Sequence, residues 1–362
     1  MLHIIIGTKA QFIKMAPILI RLKEKNLQFI LHDLCQHKST TKEIINTFGL
    51  NDIPINEIVK AKGNISTIYQ AVGWTLRVFK QILRKKMLKK ALMVQSPHDI
   101  VLIHGDTLST LYGAIIAKRL NLKVGLVEAG LTSGKVFTPF PEELVRRIVQ
   151  RMAYYLFCPG IKEEKWLKSK LPNKCIINTD YNTGEDAVNY FSQHLPHITT
   201  DLPYCLVTIH RLETISNKEK LKRVVNYIAI LSSEVEEIRF CLHPPTEHYL
   251  NKYKLKSHLL EIDNLSILPI QPYDKFLKLI VGAKFVITDG GSIQEECQTL
   301  NKLCIIFRST TERDNGLLNN AVMTTFSATK DLDALNQLSP KVTKNDQDFK
   351  ASDIIINSLE SA

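Results

Sequence analysis

The sequence has no apolar run close to the roughly 20 residues that cross a bilayer. Residues 1–7 also lack the cationic start of a signal peptide, so we interpret them as a first strand. These two absences predict a cytoplasmic protein without an integral membrane segment.

The seven cysteines include no CxxC pair. Zinc sites commonly use CxxC pairs, and an odd number of cysteines leaves one over in a disulfide framework. Most of the cysteines lie inside apolar segments, as Cys158, Cys205, Cys241 and Cys304 do. We therefore expect buried free thiols in a reducing compartment, no metal and no cofactor.

Acidic residues are in deficit, since 36 Asp and Glu face 47 Lys and Arg and the formal net charge is +11. The densest cationic cluster, residues 84–90, is broken by apolar residues at helical spacing, which favours a solvated amphipathic helix. An anionic ligand, a membrane surface or a protein partner remain open as explanations. The sequence carries no nucleic-acid-binding motif, so we predict no nucleic-acid partner.

Short apolar runs alternate with helix-length segments, the pattern of parallel strands joined by crossover helices. At 362 residues the chain is long enough for two such domains. The helix pattern breaks around residues 171–174, where we place the boundary. We predict an α/β fold of two Rossmann-like doubly wound parallel-sheet domains, 1–171 and 172–345, with a final helix in 346–362 returning to the first domain.

Three carboxylates in the first half follow apolar runs or open a helix. Residues 101–104 lead to Asp106 and residues 124–127 to Glu128, and ligands collect at the carboxyl ends of parallel strands. Glu142 follows two prolines at a helix start, and Arg146 lies one turn further on the same face. We expect these groups in one crevice, because crowded acids acquire the raised and split pKa values that proton transfer needs. Helix caps and solvated acids are the other explanation.

Several turns at predicted strand ends carry groups that bind anions. Lys9 and Lys14 stand at a helix start after the first strand, where backbone N–H groups are free. The second half has His210 with Arg211, His243, the turn Gly290-Gly291-Ser292 before Glu296, and Arg308 with Arg313. Repeated cationic or glycine-rich turns in one domain predict a phosphorylated, nucleotide-like ligand.

These residues belong to motifs that follow one another over nearly the whole chain. The motifs are residues 7–9, 13–17, 36–37, 104–107, 127–131, 139–143, 208–213, 288–289, 293–296 and 310–313. With them the chain resembles the non-hydrolysing UDP-N-acetylglucosamine 2-epimerases. The resemblance implies a glycosyltransferase-B-like fold with the active site in the cleft between its two domains, and a homodimer that serves surface polysaccharide biosynthesis.

The resemblance also implies a reaction at carbon 2 of a UDP-N-acetylhexosamine. A base removes the proton on carbon 2, UDP leaves carbon 1, and UDP adds back after protonation on the other face, which requires more than one acid/base group. By motif matching, the catalytic residues are Asp106, Glu128, Glu142 and His210. Substrate-binding residues are Lys9, Lys14, Arg146, Arg211, Phe276, Gly290, Gly291, Ser292, Glu296 and Arg313. A second, activating substrate molecule would lie near Gln36, His37 and His243, and Arg146 also falls near it.

Among the binding residues, the matching assigns phosphate to Lys9, Lys14, Ser292 and Arg313, uracil to Phe276 and the ribose to Glu296. Four turns depart from the family pattern: Lys9-Ala10-Gln11 replaces Arg-Pro-Glu, Leu131-Thr132-Ser133 replaces Leu-Arg-Thr, Leu212 replaces an arginine, and Asp289-Gly290-Gly291-Ser292 replaces Asp-Ser-Gly-Gly. An altered nucleotide sugar and loss of activation by a second substrate therefore stay open. So do two other hypotheses, a glycosyltransferase or hydrolysing epimerase on the same scaffold, and a nucleotide-sugar-binding protein without catalysis.

Overall fold

A computed structural model of the chain describes residues 1–36, 38–60, 68–132, 134, 141–192, 203–311, 316–339 and 349–361. The chain divides into two compact units, one of Met1–Ala187 with Gln347–Ala362 and one of Val188–Asp346. Among the described helices, none is both long enough and apolar enough to pass through a bilayer.

The first unit is built on a parallel sheet. Its described strands are β1 (Leu2–Ile6), β2 (Phe29–Asp33), β3 (Ile55–Glu57), β4 (Ile100–His104), β5 (Lys123–Val127), β6 (Tyr155–Cys158) and β7 (Cys175–Asn178). They pair in the order β3-β2-β1-β4-β5-β6-β7, every pair being parallel. The strand order reverses between β1 and β4, so the turns that follow these strands flank the crevice where such sheets bind ligands.

Helices connect these strands. They are α1 (Lys9–Glu24), α2 (Lys38–Thr47), α3 (Ile68–Leu83), α4 (Lys85–Leu92), α5 (Leu108–Arg119), α6 (Glu142–Met152), α7 (Ile161–Lys170) and α8 (Thr183–Ser192). Ile4, Ile5 and Ile6 of β1 are fully buried. A parallel sheet covered on both faces needs such continuous apolar runs rather than an alternation of apolar and polar residues.

The second unit repeats the plan. Its described elements are β8 (Tyr204–Thr208), α9 (Leu212–Ile215), α10 (Lys218–Leu231), β9 (Glu237–Leu242), α11 (Pro244–Lys252), α12 (Lys256–Leu260), β10 (Leu265–Pro269), α13 (Tyr273–Gly282), β11 (Ala283–Thr288), α14 (Gly291–Thr299), β12 (Cys304–Ile306), β13 (Ala321–Met323) and α15 (Ala328–Asn336). The strands form a parallel sheet in the order β10-β9-β8-β11-β12-β13. The predicted fold class, two parallel-sheet α/β domains, is confirmed.

The last described helix, α16 (Lys350–Glu360), belongs to the first unit. The Arg21 guanidinium of α1 donates from Nε to Asp353 Oδ1 of α16 at 2.9 Å. The first unit also extends to Ala187, past the predicted boundary at residue 171, because β7 pairs with β6 and so continues the first sheet.

The amphipathic helix predicted around residues 84–90 corresponds to α4, which is separate from α3. α3 ends at Leu83, and Arg84, with φ −89° and ψ 68°, leaves helical geometry before α4 begins at Lys85. The short edge strands β3 and β13 were not predicted, because three residues are too few to show a period in the sequence.

Candidate active site

Gln11 joins the turn after β1 to the turn after β4. Thr8 caps α1 in a capping box with Gln11, whose Oε1 accepts the backbone N–H groups of Gly7 at 3.0 Å and Thr8 at 3.2 Å. Its Nε2 donates to the His104 carbonyl and to Thr110 Oγ1, both at 2.8 Å. In the sequence, Gln11 stands out only as a departure from a family motif, although the Thr-x-x-Gln spacing indicates the cap.

Glu128, directly after β5, is held from several sides. Its Oε1 accepts hydrogen bonds from Lys14 Nζ and from Asn182 Nδ2, each at 2.6 Å, and its Oε2 lies 3.6 Å from His104 Nε2. Its backbone has φ +64°, in the left-handed region, which costs a non-glycine residue about 1–3 kcal/mol. The surrounding contacts offset that strain and fix where the carboxylate points.

Asp106 lies in a network centred on Arg146. The Arg146 guanidinium donates to Asp106 from Nη2 and, at 2.6 Å from Nη1, to Glu143 Oε2. Glu143 is fully buried, and its Oε1 also accepts from Thr132 Oγ1 at 2.7 Å and Arg147 Nε at 3.0 Å. A role for Glu143 was not predicted, although its i,i+3 spacing to Arg146 indicates the pair.

Burial lowers the pKa of Arg146, but the negative charges of Asp106, Glu143 and Glu128 outweigh burial and raise it. Arg146 therefore stays charged, with Asp106 and Glu143 as its ion-pair partners and the charge of Glu128 nearby. The first unit thus brings together four of the predicted residues: Asp106, Glu128, Lys14 and Arg146.

Glu142 is the first residue of α6. Its Oε2 is buried and, within the described part of the chain, has no hydrogen-bond partner. Burying a carboxylate oxygen without a partner is costly, and native structures keep such groups mainly where they serve function. Glu142 differs in this respect from Asp106 and Glu128, which accept charge-assisted hydrogen bonds.

Two other predicted residues of this unit contact different groups. Lys9 Nζ donates to Glu43 Oε1 of α2 at 3.2 Å, and Gln36 Oε1 accepts from Ser109 Oγ at 2.6 Å. The predicted residues His37 and Arg313 lie outside the described residues.

Asp289 organises the turn after β8. It is fully buried, and its two carboxylate oxygens accept the backbone N–H groups of His210 at 2.9 Å and Arg211 at 3.0 Å. The His210 ring stacks on His243 with centroids 4.6 Å apart. Burial lowers the pKa of His210, Asp289 raises it and Arg211 lowers it, with a net decrease. His210 is therefore neutral at neutral pH.

Gly290 caps the N-terminus of α14 beside His210. A Cβ at Gly290 would lie 2.8 Å from His210 Cε1, so this close approach requires glycine. The helix starts at Gly291 and Ser292, whose backbone N–H groups have no carbonyl partner within the helix and can bind an anion. His210 and this helix start thus lie side by side.

Tyr273 and Glu296 form a pair that sequence analysis did not predict. Burial raises the pKa of the Tyr273 hydroxyl well above its usual value, and the charge of Glu296 and a hydrogen bond to it raise it further. The Tyr273 hydroxyl thus orients the Glu296 carboxylate. Phe276 is half-buried one turn along the same helix, α13.

Known proteins resemble this chain over most of its length. The family described as UDP-N-acetylglucosamine 2-epimerase matches residues 21–353. A UDP-N-acetylglucosamine 2-epimerase of Methanococcus maripaludis is 32% identical over 329 residues, covering 87% of this chain and 84% of the relative. One from Methanocaldococcus jannaschii is 30% identical over 326 residues, covering 86% and 84%.

Solved structures agree with this match. The crystal structure of the Methanocaldococcus jannaschii UDP-GlcNAc 2-epimerase in complex with UDP-GlcNAc and UDP has a TM-score of 0.78 and 28% identity, covering 100% of this chain and 99% of that chain. A Neisseria meningitidis UDP-GlcNAc 2-epimerase structure, 22% identical, has a TM-score of 0.81 and covers 100% of both chains. These matches confirm the predicted glycosyltransferase-B-like fold.

Proposed function

We propose that this chain, which belongs to the UDP-N-acetylglucosamine 2-epimerase family, interconverts UDP-N-acetylglucosamine and its carbon-2 epimer, UDP-N-acetylmannosamine. The observation that carries the proposal is the group of acids in the first unit. Asp106 and Glu128 are held by Arg146 and Lys14, while Glu142 keeps a buried carboxylate oxygen that has no hydrogen bond among the described residues.

Epimerisation at carbon 2 needs a base on one face of the sugar and an acid on the other. We assign these roles to Asp106 and Glu142, because one carboxylate is fixed by a guanidinium and the other has an oxygen available to a proton. The carbon–hydrogen bond at carbon 2 breaks, the electron pair forms a carbon–carbon double bond, and UDP leaves carbon 1 with the bonding electrons. Protonation on the opposite face and re-addition of UDP give the epimer.

Glu128 carries a paired negative charge, and we propose that it acts with its partners as a unit. Lys14 neutralises it, His104 lies beside it and Asn182 fixes its orientation. The observed ion pair supports a positioning role for Lys14 in addition to the phosphate contact that the resemblance implies.

The departing diphosphate needs positive charge and hydrogen-bond donors, which lower the energy of the charge that develops on it. We assign this task to His210, Arg211 and the N-terminus of α14 with Gly290, Gly291 and Ser292. A neutral His210 supports the assignment, since its imidazole can donate a hydrogen bond without forming a permanent ion pair. Lys9 and Arg313 remain proposed phosphate contacts.

For the nucleoside, we propose that Phe276 packs on the uracil and that Glu296, oriented by Tyr273, binds the ribose hydroxyls. Gln36, His37 and His243 remain the proposed contacts of a second, activating substrate molecule, which Arg146 would also approach. The close stacking of His243 on His210 would couple that molecule to the leaving-group site.

The setting of the reaction is also part of the proposal. Seven free cysteines fit the reducing cytoplasm. The family resemblance supports a homodimer and a role in surface polysaccharide biosynthesis. Sedimentation equilibrium of the purified chain tests the dimer directly.

The products distinguish this proposal from its alternative, a glycosyltransferase or a hydrolysing epimerase, which the rewritten turn at residues 289–292 favours. The purified protein is incubated with either UDP-sugar, and the products are separated by chromatography. We expect the same mixture of the two UDP-sugars from both directions. Free sugar with UDP would identify the hydrolysing enzyme, and transfer that depends on an acceptor would identify the transferase.

A further inference from the structure

A cavity lies between α6 and α7 of the first unit. Its volume is about 290 Å³, and its lining residues are Arg147, Gln150, Arg151, Trp166, Lys170 and Leu171. We call it the α6–α7 cavity. None of these six residues belongs to the substrate site proposed above, so the cavity needs an explanation of its own.

Positive charge dominates the lining of the cavity. Arg147, Arg151 and Lys170 contribute three cations, and none of the described residues that line it is acidic. Lys174 lies beside them, since its Nζ donates to the Arg151 carbonyl at 2.9 Å. Burial lowers the pKa of Lys174, and the nearby charge of Lys118 lowers it further. This concentration of positive charge attracts an anion.

Helix ends explain part of this charge without a ligand. Arg151 and Lys170 lie in the last turns of α6 and α7, where a cation stabilises the helix dipole. The dipole does not explain why a cavity separates the two helices, or why a polar side chain is buried beside it.

That buried polar side chain is Gln150. It is 2% exposed, and its Nε2 has no hydrogen-bond partner within the described chain. An unsatisfied amide lowers stability, whereas methionine would fill the same space on α6 without that cost. An acceptor oxygen of a molecule in the cavity would satisfy the Gln150 amide.

Trp166 gives the cavity a flat apolar wall. Its side chain is half-buried and packs against the core of the first unit. Aromatic walls with a few polar groups are typical of small-molecule sites, because the ring provides contact area and the polar groups fix orientation. A ring that packs on Trp166 would place its substituents among the cations.

We propose that the α6–α7 cavity binds a small phosphate monoester that carries a ring, such as a sugar phosphate. The phosphate accepts charge-assisted hydrogen bonds from Arg151 and Lys170, and the ring packs on Trp166. Drug-sized ligands occupy roughly 300–1,000 Å³, so a cavity of about 290 Å³ suits a compound smaller than a nucleotide sugar. The ligand is therefore distinct from the substrate.

Arg147 connects the cavity to the acids. Its Nε donates to Glu143 Oε1 at 3.0 Å, and Glu143 Oε2 accepts from Arg146, which also pairs with Asp106. A phosphate that draws Arg147 away leaves Glu143 to compete more strongly for Arg146. The ion pair that fixes Asp106 then weakens, and kcat should fall. This consequence for kcat rests on the proposed function.

Calorimetry on the full chain tests binding, with saturating UDP present to occupy the substrate site. Glucose 6-phosphate and UMP are compared with inorganic phosphate, glucose and uridine. We expect glucose 6-phosphate to bind about tenfold more tightly than inorganic phosphate, and the uncharged compounds not to bind. Preference for UMP would identify a nucleoside as the ring. Binding of neither monoester, or equal affinity for inorganic phosphate, would overturn the proposal.

Gln150→Met tests the buried amide. Methionine keeps the length of the side chain and forms helix well. The affinity for glucose 6-phosphate should fall by about tenfold, while the Tm of the free protein should rise because no amide is left unsatisfied. A lower Tm with unchanged affinity would assign Gln150 to structure alone and contradict the proposal.

A second variant removes charge from the cavity. Arg151→Gln with Lys170→Gln should lower the affinity for glucose 6-phosphate by about a hundredfold, because two charge-assisted hydrogen bonds are lost. Lys165→Gln with Lys222→Gln is the matched control, since both lysines are exposed and lie outside the cavity. Equal losses in the two double variants would show a general effect of charge and overturn the site.

Fluorescence reports the position of the ligand. The chain has two tryptophans, and Trp74 is 1% exposed while Trp166 lines the cavity. Glucose 6-phosphate should change the emission of the unmodified chain, and Trp166→Phe should abolish this change while calorimetry still detects binding. The same change in Trp166→Phe would place the ligand elsewhere.

Turnover measured with and without glucose 6-phosphate tests the connection to Asp106. We expect kcat to fall with the unmodified chain and to stay constant with Arg151→Gln and Lys170→Gln, which should keep its basal turnover. An unchanged kcat at saturating glucose 6-phosphate would overturn the connection. Failure of the proposed function would appear separately, as absence of turnover without glucose 6-phosphate.

Discussion

Carboxylates of the first unit differ in what surrounds them, and this difference separates their roles. Glu128 adopts φ +64° and accepts hydrogen bonds from a lysine and an amide, so its charge and direction are fixed. Asp106 is fixed by Arg146. Glu142 has a buried oxygen without a hydrogen bond from any described residue. A bound substrate whose carbon 2 faces this oxygen would satisfy it, and that contact lets the carboxyl pass a proton to or from carbon 2 as a general acid or base.

Replacing Glu142 with glutamine tests this role. Glu142→Gln keeps the shape of the side chain and removes its ability to carry a proton, so turnover should fall by about 10²–10⁴-fold, the usual contribution of a general acid or base. The Kd for UDP, measured by calorimetry, should stay unchanged. Glu219→Gln, an exposed acid of α10, is the matched control and should keep full turnover. Wild-type turnover in Glu142→Gln would remove Glu142 from the mechanism.

Asn182 acts through Glu128. Asn182→Ala removes the 2.6 Å hydrogen bond to Glu128 Oε1, and a hydrogen bond to a charged group contributes about 1.5–3 kcal/mol. We expect kcat to fall by about 10–100-fold with little change in KM, because the acid loses its orientation while the binding groups stay in place. Asn182→Asp places a second negative charge beside Glu128 and should lower kcat further. Steady-state kinetics that show only a raised KM would contradict a positioning role.

At the scale of elements, helix starts position most of the site. Capping boxes at Thr8 and Thr107 fix the starts of α1 and α5. α14 starts without a side-chain cap and uses Gly290 instead. The result is an N-terminus of α14 that is close to His210 and open to an anion.

Gly290→Ala tests this close approach. The added Cβ would lie 2.8 Å from His210 Cε1, and the ring is stacked on His243, so His210 must tilt. We expect weaker UDP binding and lower kcat/KM, with a nearly unchanged Tm. Gly73→Ala of α3 is the control, because its Cβ would meet only Arg77 Nη1 at 3.8 Å. Equal kinetics for the two alanine variants would show that the site tolerates a Cβ at Gly290.

The contact of α8 with α16 depends on a buried acid. Asp186 Oδ2 accepts from Ser352 N at 2.8 Å and from Ser352 Oγ at 2.6 Å, while Oδ1 is buried without a partner in the described chain. Burial raises the pKa of Asp186 to about 7, although the hydrogen bonds from Ser352 lower it. The folded state therefore favours the protonated carboxyl.

The pH dependence of stability follows from this pKa. Since the folded pKa lies above the unfolded value of 3.8, the contribution to stability is complete below about pH 4 and is lost as pH rises through about 7. The loss is on the order of 4 kcal/mol. The Tm of the unmodified chain, measured by thermal unfolding, should fall between about pH 5 and about pH 8. Asp186→Asn should remove the part of this fall that comes from Asp186. Asp180→Asn, an exposed control, should keep it. Parallel curves for the unmodified chain and Asp186→Asn would contradict a protonated Asp186.

At the scale of the whole molecule, the sequence predicted the two parallel-sheet domains because each buried strand is a continuous apolar run. It also predicted the acids at the ends of β4 and β5, since these follow such runs directly. The networks around the acids were not predicted. Asn182 contacts Glu128 across 54 residues and Gln11 contacts His104 across 93, and no local period connects residues so far apart.

The position of the domain boundary also depends on contacts that the sequence pattern does not specify. A break in helix pattern marks residues 171–174, but the short segment that follows joins the first sheet as β7 because it pairs with β6. Pairing between strands is a tertiary property, and the apolar pattern of one segment does not specify its neighbour.

Proton exchange at carbon 2 is the most direct measurement of the proposed chemistry. The purified chain is incubated with UDP-N-acetylglucosamine in heavy water and followed by proton NMR, beside Asp106→Asn. We expect deuterium at carbon 2 of both epimers with the unmodified chain and none with Asp106→Asn, which should still bind UDP. Formation of the epimer with its original hydrogen at carbon 2, or labelling by Asp106→Asn at the unmodified rate, would contradict the mechanism.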